Sequence, residues 1–592
     1  MKKKFLSVVL TLVMVVTVLP KVRLIVNAAE VEVKIGGLDY ILNDETSKAS
    51  IKGVSGELPE KLTIPATVNW KDKTFEVNGI NNGAFKGNQN IKEVEVQNGV
   101  TEIGNDAFLG SSLVGITLPN SIEKIGSQAC FMCRNLKNIN LPNNDEYKTI
   151  SSALFALCTD LENLTIPDNV TKIEPSAFTN TSLKNIKIPN SVEEIGWNAF
   201  AGCEKLETIN LPENSNYNCI KKNTFSNCIS LENIEIPNNI KELGEGAFSG
   251  AGLKGITIPD SVNKCGWSVF CRCEKLEAVS LPKSSGFKEI SPRLFWGCKK
   301  LGNIEIPDNI YSIGAESFGS TGLKNIKIPN SVTRIGYESF SNCEKLETIE
   351  LPKNPEYNRI EQKILYNCKS LKNIKVPSSV NKFERGAFSG TGLENIAVPA
   401  NVDAIEEGTF ADCKNLQAID LSRNNKLTEI ADNLFNGCEG LKTVKLPDSV
   451  GRIGKDAFRS VRVKSINIPA GLSKNYREYF KDMNLTELEE LAISNNVSDF
   501  DFSTFSGCKN LRKLVIEYNS KLETLTVKFD STGERFPIPI SEVYICENPS
   551  EKAKMVKMFR AYNENIEIIN TLRLDGVSDE ALKCLLQSLK NA

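Results

Sequence analysis

The feature that most constrains this chain is its repetition. The segment LKNIKIPNSVEEIGWNAFAGCEK at residues 183–205 returns as LKGITIPDSVNKCGWSVFCRCEK at 253–275 and as LKNIKIPNSVTRIGYESFSNCEK at 323–345, each copy starting 70 residues after the last. A period of this kind signals one stacked array whose units cover each other's apolar faces, not a row of separate globules. Prolines that close the apolar strands divide the period further. Pro119, Pro142, Pro167, Pro189, Pro212, Pro237 and Pro259 follow one another at steps of 23, 25 and 22, then again 23, 25 and 22. The series runs on to Pro399, and Pro447 and Pro469 keep its phase. Ser422 stands where one proline is expected, and Gln97 takes the equivalent place upstream.

Each step is one rung. In LKNIKIP, Ile186 and Ile188 share one face of a short strand and Lys187 lies on the other. Pro189 ends the strand, because it brings no N–H to a ladder. Val192, Ile195, Phe200 and Cys203 are the remaining apolar positions, and Gly196 marks a turn in which a side chain would be strained. A rung this short cannot close a core alone. Stacked rungs can, with their strands paired in parallel in one sheet.

The L-x-x-I-x-I-P strand, the S-V-x-x-I-G turn and the A-F-x-G-C close resemble the BspA-like bacterial surface branch of the leucine-rich-repeat superfamily. The resemblance covers roughly residues 80–530 and implies a leucine-rich-repeat solenoid of the α/β class, β-rich and right-handed. A parallel β-sheet would line one face, with irregular or short-helical connections on the other. It also implies export and adhesion to host proteins, other bacteria or extracellular matrix. On this reading, residues 85–530 form about 18 rungs. Residues 30–84 form an N-terminal β-rich cap with an extra loop around Trp70, since an exposed terminal rung would leave an apolar edge. Residues 531–592 form a C-terminal cap with short helices: Ser550 caps one that carries Met555, Val556, Phe559 and Tyr562, a strand follows at Ile566 to Ile569, and a second helix carries Leu582, Leu585, Leu586 and Leu589.

At the other end, Lys2, Lys3 and Lys4 precede an apolar run from Phe5 to Leu19, and the small residues Ala28 and Ala29 stand before Glu30. This predicts a signal peptide over 1–29 and a secreted or cell-surface protein. No later apolar run is long enough for an integral membrane span after signal removal. Neither a cysteine lipobox nor a C-terminal sorting motif is present, so covalent anchoring is not indicated. The formal charge is −2, and residues 1–29 hold five of the cations and no acid, so the remainder is mildly acidic. With no basic block to displace counterions from phosphates, nucleic acid is excluded as a partner.

Histidine is absent altogether. That removes the commonest general base, the usual triad partner of serine or cysteine, and the commonest zinc ligand. No catalytic residues, no metal site and no cofactor are expected. Carboxylate pairs can hydrolyse glycosides without histidine, but the acids here recur as decoration of the repeat. A secreted hydrolase is therefore the least favoured reading, behind an adhesin-like binder and a structural spacer of the cell envelope.

Of the 17 cysteines, eleven (Cys133, Cys158, Cys203, Cys228, Cys273, Cys298, Cys343, Cys368, Cys413, Cys438 and Cys508) lie three residues after the Phe position. They read as a ladder of small apolar thiols. Bridging neighbours such as Cys203 and Cys228 is the alternative: adjacent rungs bring alpha carbons within range, but parallel side-chain directions suit a disulfide poorly. The C-x-x-C at Cys130 and Cys133 has a simple origin, because Cys130 fills a Phe slot.

Two sets of residues are candidates for ligand binding. The first is the polar positions of the open sheet face: Asn185, Lys187, Asn233, Glu235, Asn303, Glu305, Asn325, Lys327, Thr348, Glu350, Asn373 and Lys375. They lack the Trp, Tyr and Arg anchors of tight protein interfaces, so they suit weak or multivalent binding, or simply a solvated face. The second is two aromatic series with the 70-residue period, Tyr147, Tyr217, Phe287 and Tyr357 in one and Trp197, Trp267 and Tyr337 in the other. Either series would contact a repetitive extracellular glycan or protein ligand, on a host matrix or another cell, or pack over neighbouring loops.

Overall fold

The computed structural model describes residues 30–516 except 482, 495, 496, 498 and 506, together with strands at 524–526, 542–545 and 567–570. The signal-peptide segment 1–29 and the two C-terminal helices lie outside the described residues. The chain divides into two units, residues 1–183 and 184–592.

The first unit begins with strands long enough to alternate. β1 (Glu30–Ile35), β2 (Leu38–Asn43) and β3 (Lys48–Val54) pair antiparallel in sequence. Val33, Leu38, Tyr40, Leu42, Ala49 and Ile51 are buried, as the period of two requires. β4 (Lys61–Ile64) belongs to a second sheet. The segment around Trp70 is a hairpin of β5 (Thr67–Trp70) and β6 (Lys73–Ile80), turned by Lys71 and Asp72 in the left-handed region. β6 changes the style of pairing: its Lys48-to-Ile51 neighbour and its next neighbour, Glu102–Ile103, are both parallel to it. From there the rungs add short strands in two ladders. One ladder runs β6, Glu102–Ile103 and Lys124–Ile125; the other runs β4, Glu93–Val96, Gly115–Thr117 and Asn138–Ile139.

The second unit repeats that coil. The x-I-x strands of its outer sheet carry Ile186, Ile209, Ile256, Ile326 and Ile349 inward. The two-residue strands before the glycine, such as Glu242–Leu243 with Lys264–Cys265, form the second ladder. A third set of hydrogen bonds joins the connections. Ser268, Phe270 and Arg272 donate their backbone N–H groups to Pro292, Leu294 and Trp296, and the pattern recurs rung after rung. Ser268 and Arg272 both adopt φ of 58°. Two left-handed residues flank the A-F pair in each coil as far as Asp456 and Ser460, which bends the chain sharply without a helix; the next two coils place a short α-helix, Tyr476–Lys481, and a 3-10 helix, Phe502–Phe505, there instead.

Inside lie the columns that the repeat encodes. Phe200, Phe225, Phe248, Phe270, Phe295, Phe318 and Phe340 stack ring on ring, with centroids 5.3–5.7 Å apart. Leu365 then fills the column, and Phe388, Phe410, Phe435 and Phe458 resume it. The fifteen described cysteines are free thiols. Along most of the ladder the Sγ donates to a carbonyl of the preceding rung: Cys273 to Phe248 at 3.1 Å, Cys298 to Phe270 at 3.1 Å, Cys438 to Phe410 at 3.0 Å. The thiols point along the stack at backbone oxygens, which accounts for their burial as donors instead of as bridges. Where the third rung lacks cysteine, Thr321 and Thr391 fill the place and donate to Phe318 and Phe388.

The glycine after each turn isoleucine has a different cause from the one its sequence suggests. Gly266 and Gly336 do not have left-handed φ. A Cβ at Gly266 would lie 2.4 Å from the backbone nitrogen of Glu245, and one at Gly336 would lie 2.5 Å from that of Ala315. Close approach of two rungs, not a strained turn, demands glycine there.

Candidate functional site

All twelve polar candidates of the sheet face, from Asn185 to Lys375, are exposed. The strand alternation that buries Ile186 and Ile326 turns Asn185, Lys187, Asn325 and Lys327 outward. Register places Asn185 beside Thr208 and Asn325 beside Thr348, and in both pairs the threonine hydroxyl donates to the asparagine Oδ1, at 2.6 Å in the second. Lys327 is in register with Glu350. Ion pairs tie rungs together along the edge of the face, for example Lys254 with Glu232 at 2.6 Å and Lys300 with Glu277 at 3.0 Å. Lys254 holds the Glu232 carboxyl below its usual range, and Glu232 raises the Lys254 ammonium.

The outer sheet is interrupted every third rung. Asn185–Lys187 pairs only with Thr208–Asn210, Gly255–Thr257 only with Ala278–Ser280, and Asn325–Lys327 only with Thr348–Glu350. The rungs between, at 232–237 and 302–307, form no strand. The N–H groups of Asn233, Ile234, Glu235 and Ile236 donate to no backbone carbonyl among the described residues, and the same holds for Asn303, Ile304, Glu305 and Ile306. Two grooves open at these rungs. The larger, of about 1130 Å³, runs over 233–239 between Thr208–Asn210 and the pair Gly255–Thr257 and Ala278–Ser280. The smaller, of about 730 Å³, is lined by Ala278, Asn303, Glu305, Asp308 and Lys327. The structure thus gathers Asn233 and Glu235 into one groove and Asn303, Glu305 and Lys327 into another. Asn185, Lys187, Asn325, Thr348, Glu350, Asn373 and Lys375 line neither.

The two aromatic series separate completely. Trp197, Trp267 and Tyr337 stand in solvent, at 52, 66 and 50% exposure. Tyr147, Tyr217, Phe287 and Tyr357 are buried, and this corrects their candidacy for ligand contact. The cause is local. Asn214 Oδ1 accepts the N–H of Tyr217 and so closes the loop over it. The amide of Asn239, one rung on, donates to the carbonyls of Pro212, Asn214 and Tyr217, and Asn309 does the same around Phe287. The tyrosine hydroxyls at 147, 217 and 357 find no partner, and burial pushes all three well above their ordinary pKa. Phe287 at the same position shows that the ring, not the hydroxyl, is what the interior uses.

Sequence reasoning missed the grooves. The signal was present as a departure from the repeat: Gly255 and Thr257 stand where other copies carry Asn185 and Lys187 or Asn325 and Lys327. Ala278 and Ser280 stand where others carry Thr208 and Asn210 or Thr348 and Glu350. Also missed were exposed Ile229 and Tyr311. Among the described residues no three His, Cys, Asp or Glu side chains are grouped to hold a metal ion, and no helix is long and apolar enough to cross a membrane.

A family model described as the BspA type leucine rich repeat region (6 copies) matches residues 69–181, 148–277, 288–417 and 405–527. No curated protein matches. Among solved structures, a leucine-rich repeat protein from Bacteroides ovatus ATCC 8483 is 26% identical, covering 78% of this chain and 95% of its own, with a TM-score of 0.42. A leucine rich cell surface protein from Faecalibacterium prausnitzii A2-165 is 22% identical over 70% of this chain and 94% of its own, with a TM-score of 0.35. A leucine-rich repeat protein from Eubacterium ventriosum ATCC 27560 is 20% identical over 63% and 97%, with a TM-score of 0.33. The family model spans most of the chain: the protein belongs to the BspA-type leucine-rich-repeat family.

Proposed function

We propose that this protein is a non-catalytic, secreted or cell-surface binder of extracellular protein or glycan ligands, acting as an adhesin. The observation that carries this reading is the open sheet face. Its side chains do no work in the core, yet they recur in register over many rungs and frame two grooves. A surface of amides, hydroxyls and mixed charges, without large aromatic anchors, binds each ligand unit weakly and gains strength by repetition. Membership of a repeat family built for protein interaction supports the same reading.

The test is a binding screen of residues 30–592 against matrix proteins, mucin, oligosaccharides and whole bacterial cells. Saturable binding to one class supports the proposal; no binding to any of them favours the spacer reading, in which the array only holds other parts away from the envelope. Robust turnover in a hydrolase screen would displace both.

A further inference from the structure

We infer that the larger groove is a subsite for a neutral, polyhydroxylated ligand, an oligosaccharide without acidic groups; this rests on the binding reading above and narrows it to one place and one chemistry. The groove is a product of local departures from the repeat. At Gly255, Thr257, Ala278 and Ser280 the sheet carries small side chains, where the copies at 185–210 and 325–350 carry asparagine, lysine, threonine or glutamate. A Cβ at Gly255 would meet nothing closer than 3.7 Å, so packing does not require glycine there. What its small size provides is open space above the sheet.

The chemistry of the lining decides the ligand class. It contains Glu213 and Glu235 and no lysine or arginine. An anionic ligand, whether sulfated, sialylated or phosphorylated, would meet two carboxylates with no cation to pair with, at a cost in desolvation and repulsion. What the groove does offer is hydrogen bonding in both directions: the hydroxyls of Thr208, Thr257 and Ser280 and the side-chain amides of Asn210, Asn233, Asn238 and Asn239. Side chains that both donate and accept suit a ligand dense in hydroxyls. A protein partner would instead call for aromatic or arginine anchors, and the groove has none. Its volume of about 1130 Å³ accommodates a short oligosaccharide. The smaller groove lies three rungs on, about 14 Å at sheet spacing, so a repeating glycan that reaches both gains from high effective concentration.

The repeat supplies variants that preserve the fold, because the replacing residues already occupy the same positions in other copies. Thr257→Lys and Ser280→Glu reproduce Lys187 or Lys327 and Glu350. The experiment applies residues 30–592 and the double variant to an array of neutral, sialylated and sulfated oligosaccharides, with the same matrix proteins as control and thermal unfolding as the check on folding. The expected result is binding to neutral glycans that weakens by roughly tenfold or more in the double variant, with an unchanged melting temperature. Neutral-glycan binding that the variant leaves intact would overturn the site while the adhesive reading stands. Binding confined to acidic glycans or to matrix proteins would overturn the ligand class. No binding by the parent to any glycan or matrix protein would instead remove the adhesive reading itself.

Discussion

The second unit contains two stretches of outer sheet that behave differently. Between Asn185 and Glu350 the strands pair only two by two, with an unpaired rung after each pair. From Ala418 the strands at 418–420, 443–445, 465–468, 490–493, 513–516, 542–545 and 567–570 form one unbroken parallel sheet. The rung steps do not explain this, since 25 residues separate both Thr208 from Asn233 and Ala418 from Thr443. At these 25-residue steps the residue that ends the rung before differs, whereas after the 22-residue step from Leu446-Pro447 the strand 465–468 pairs despite its proline. Each gap follows Leu-Pro, at Pro212 and Pro282, whereas the continuous stretch begins at Leu421-Ser422. There Leu421 N–H donates to Lys445 at 2.8 Å, and Ser422 N–H is capped by Asp420 Oδ1 at 3.0 Å, a donor that proline would lack. Meanwhile the interior is the same in both stretches: Phe295 stacks at 5.7 Å on Phe270, and Phe435 at 5.8 Å on Phe410. The spine runs through both stretches unchanged, while the outer sheet is open in one and closed in the other.

The strongest way to break this comparison is to damage the spine on either side of it. Phe295→Ala and Phe435→Ala should cost about 3–5 kcal/mol each in urea unfolding and to a similar degree; a large difference between them would mean that the sheet, not the stack, carries stability. Next in size, Ser422→Pro removes the Asp420 cap and should cost about 1–3 kcal/mol, opening a gap at 443–445 like that at 233–236. A variant as stable as the parent would detach the proline from the gap.

Alkaline titration probes the thiol ladder that both stretches share. Burial pushes Cys265 and Cys273 up to about 12 and Cys343 and Cys508 up to about 11. Unfolded thiols ionise near 9, so between pH 9 and 11 the unfolded chain binds fewer protons and stability falls as pH rises. Each such thiol contributes about 1.4 kcal/mol per pH unit. A flat stability profile from pH 9 to 11 would mean that these thiols are bridged or exposed. In the native protein at neutral pH, half-buried Cys219 and Cys271 should alkylate ahead of the ladder. The smallest effect belongs to Tyr217→Phe. Removing a buried hydroxyl with no partner should leave stability within about 1 kcal/mol of the parent or raise it, as Phe287 already implies, and a clear loss would reveal a partner for the hydroxyl.

Much of this fold is legible in the sequence because a repeat forces the same residue into the same place many times. The proline series locates the rung ends, and the Phe and Cys columns announce their own stacking. Single rungs are less transparent. Tyr217 and Trp267 recur with the same period, and nothing in that period says that one is held inside by Asn214 and Asn239 while the other stands in water. The role of Gly266 was hidden for a related reason: a close contact between rungs leaves the same letter in the sequence as a strained turn. The grooves were readable only by comparing copies, since Gly255 and Ser280 are informative against Asn185 and Glu350 and mute alone.

Residue-resolved hydrogen exchange on residues 30–592 tests the central claim most directly. Inter-rung amides of the spine, such as those of Phe248, Phe270 and Phe410, should be strongly protected in both stretches. Those of Asn233–Ile236 and Asn303–Ile306 should exchange fast, and those in the strand 443–445 should be protected. Equal protection along the whole outer sheet, or rapid exchange at the phenylalanine amides, would contradict a rigid spine carrying a sheet that opens at set intervals.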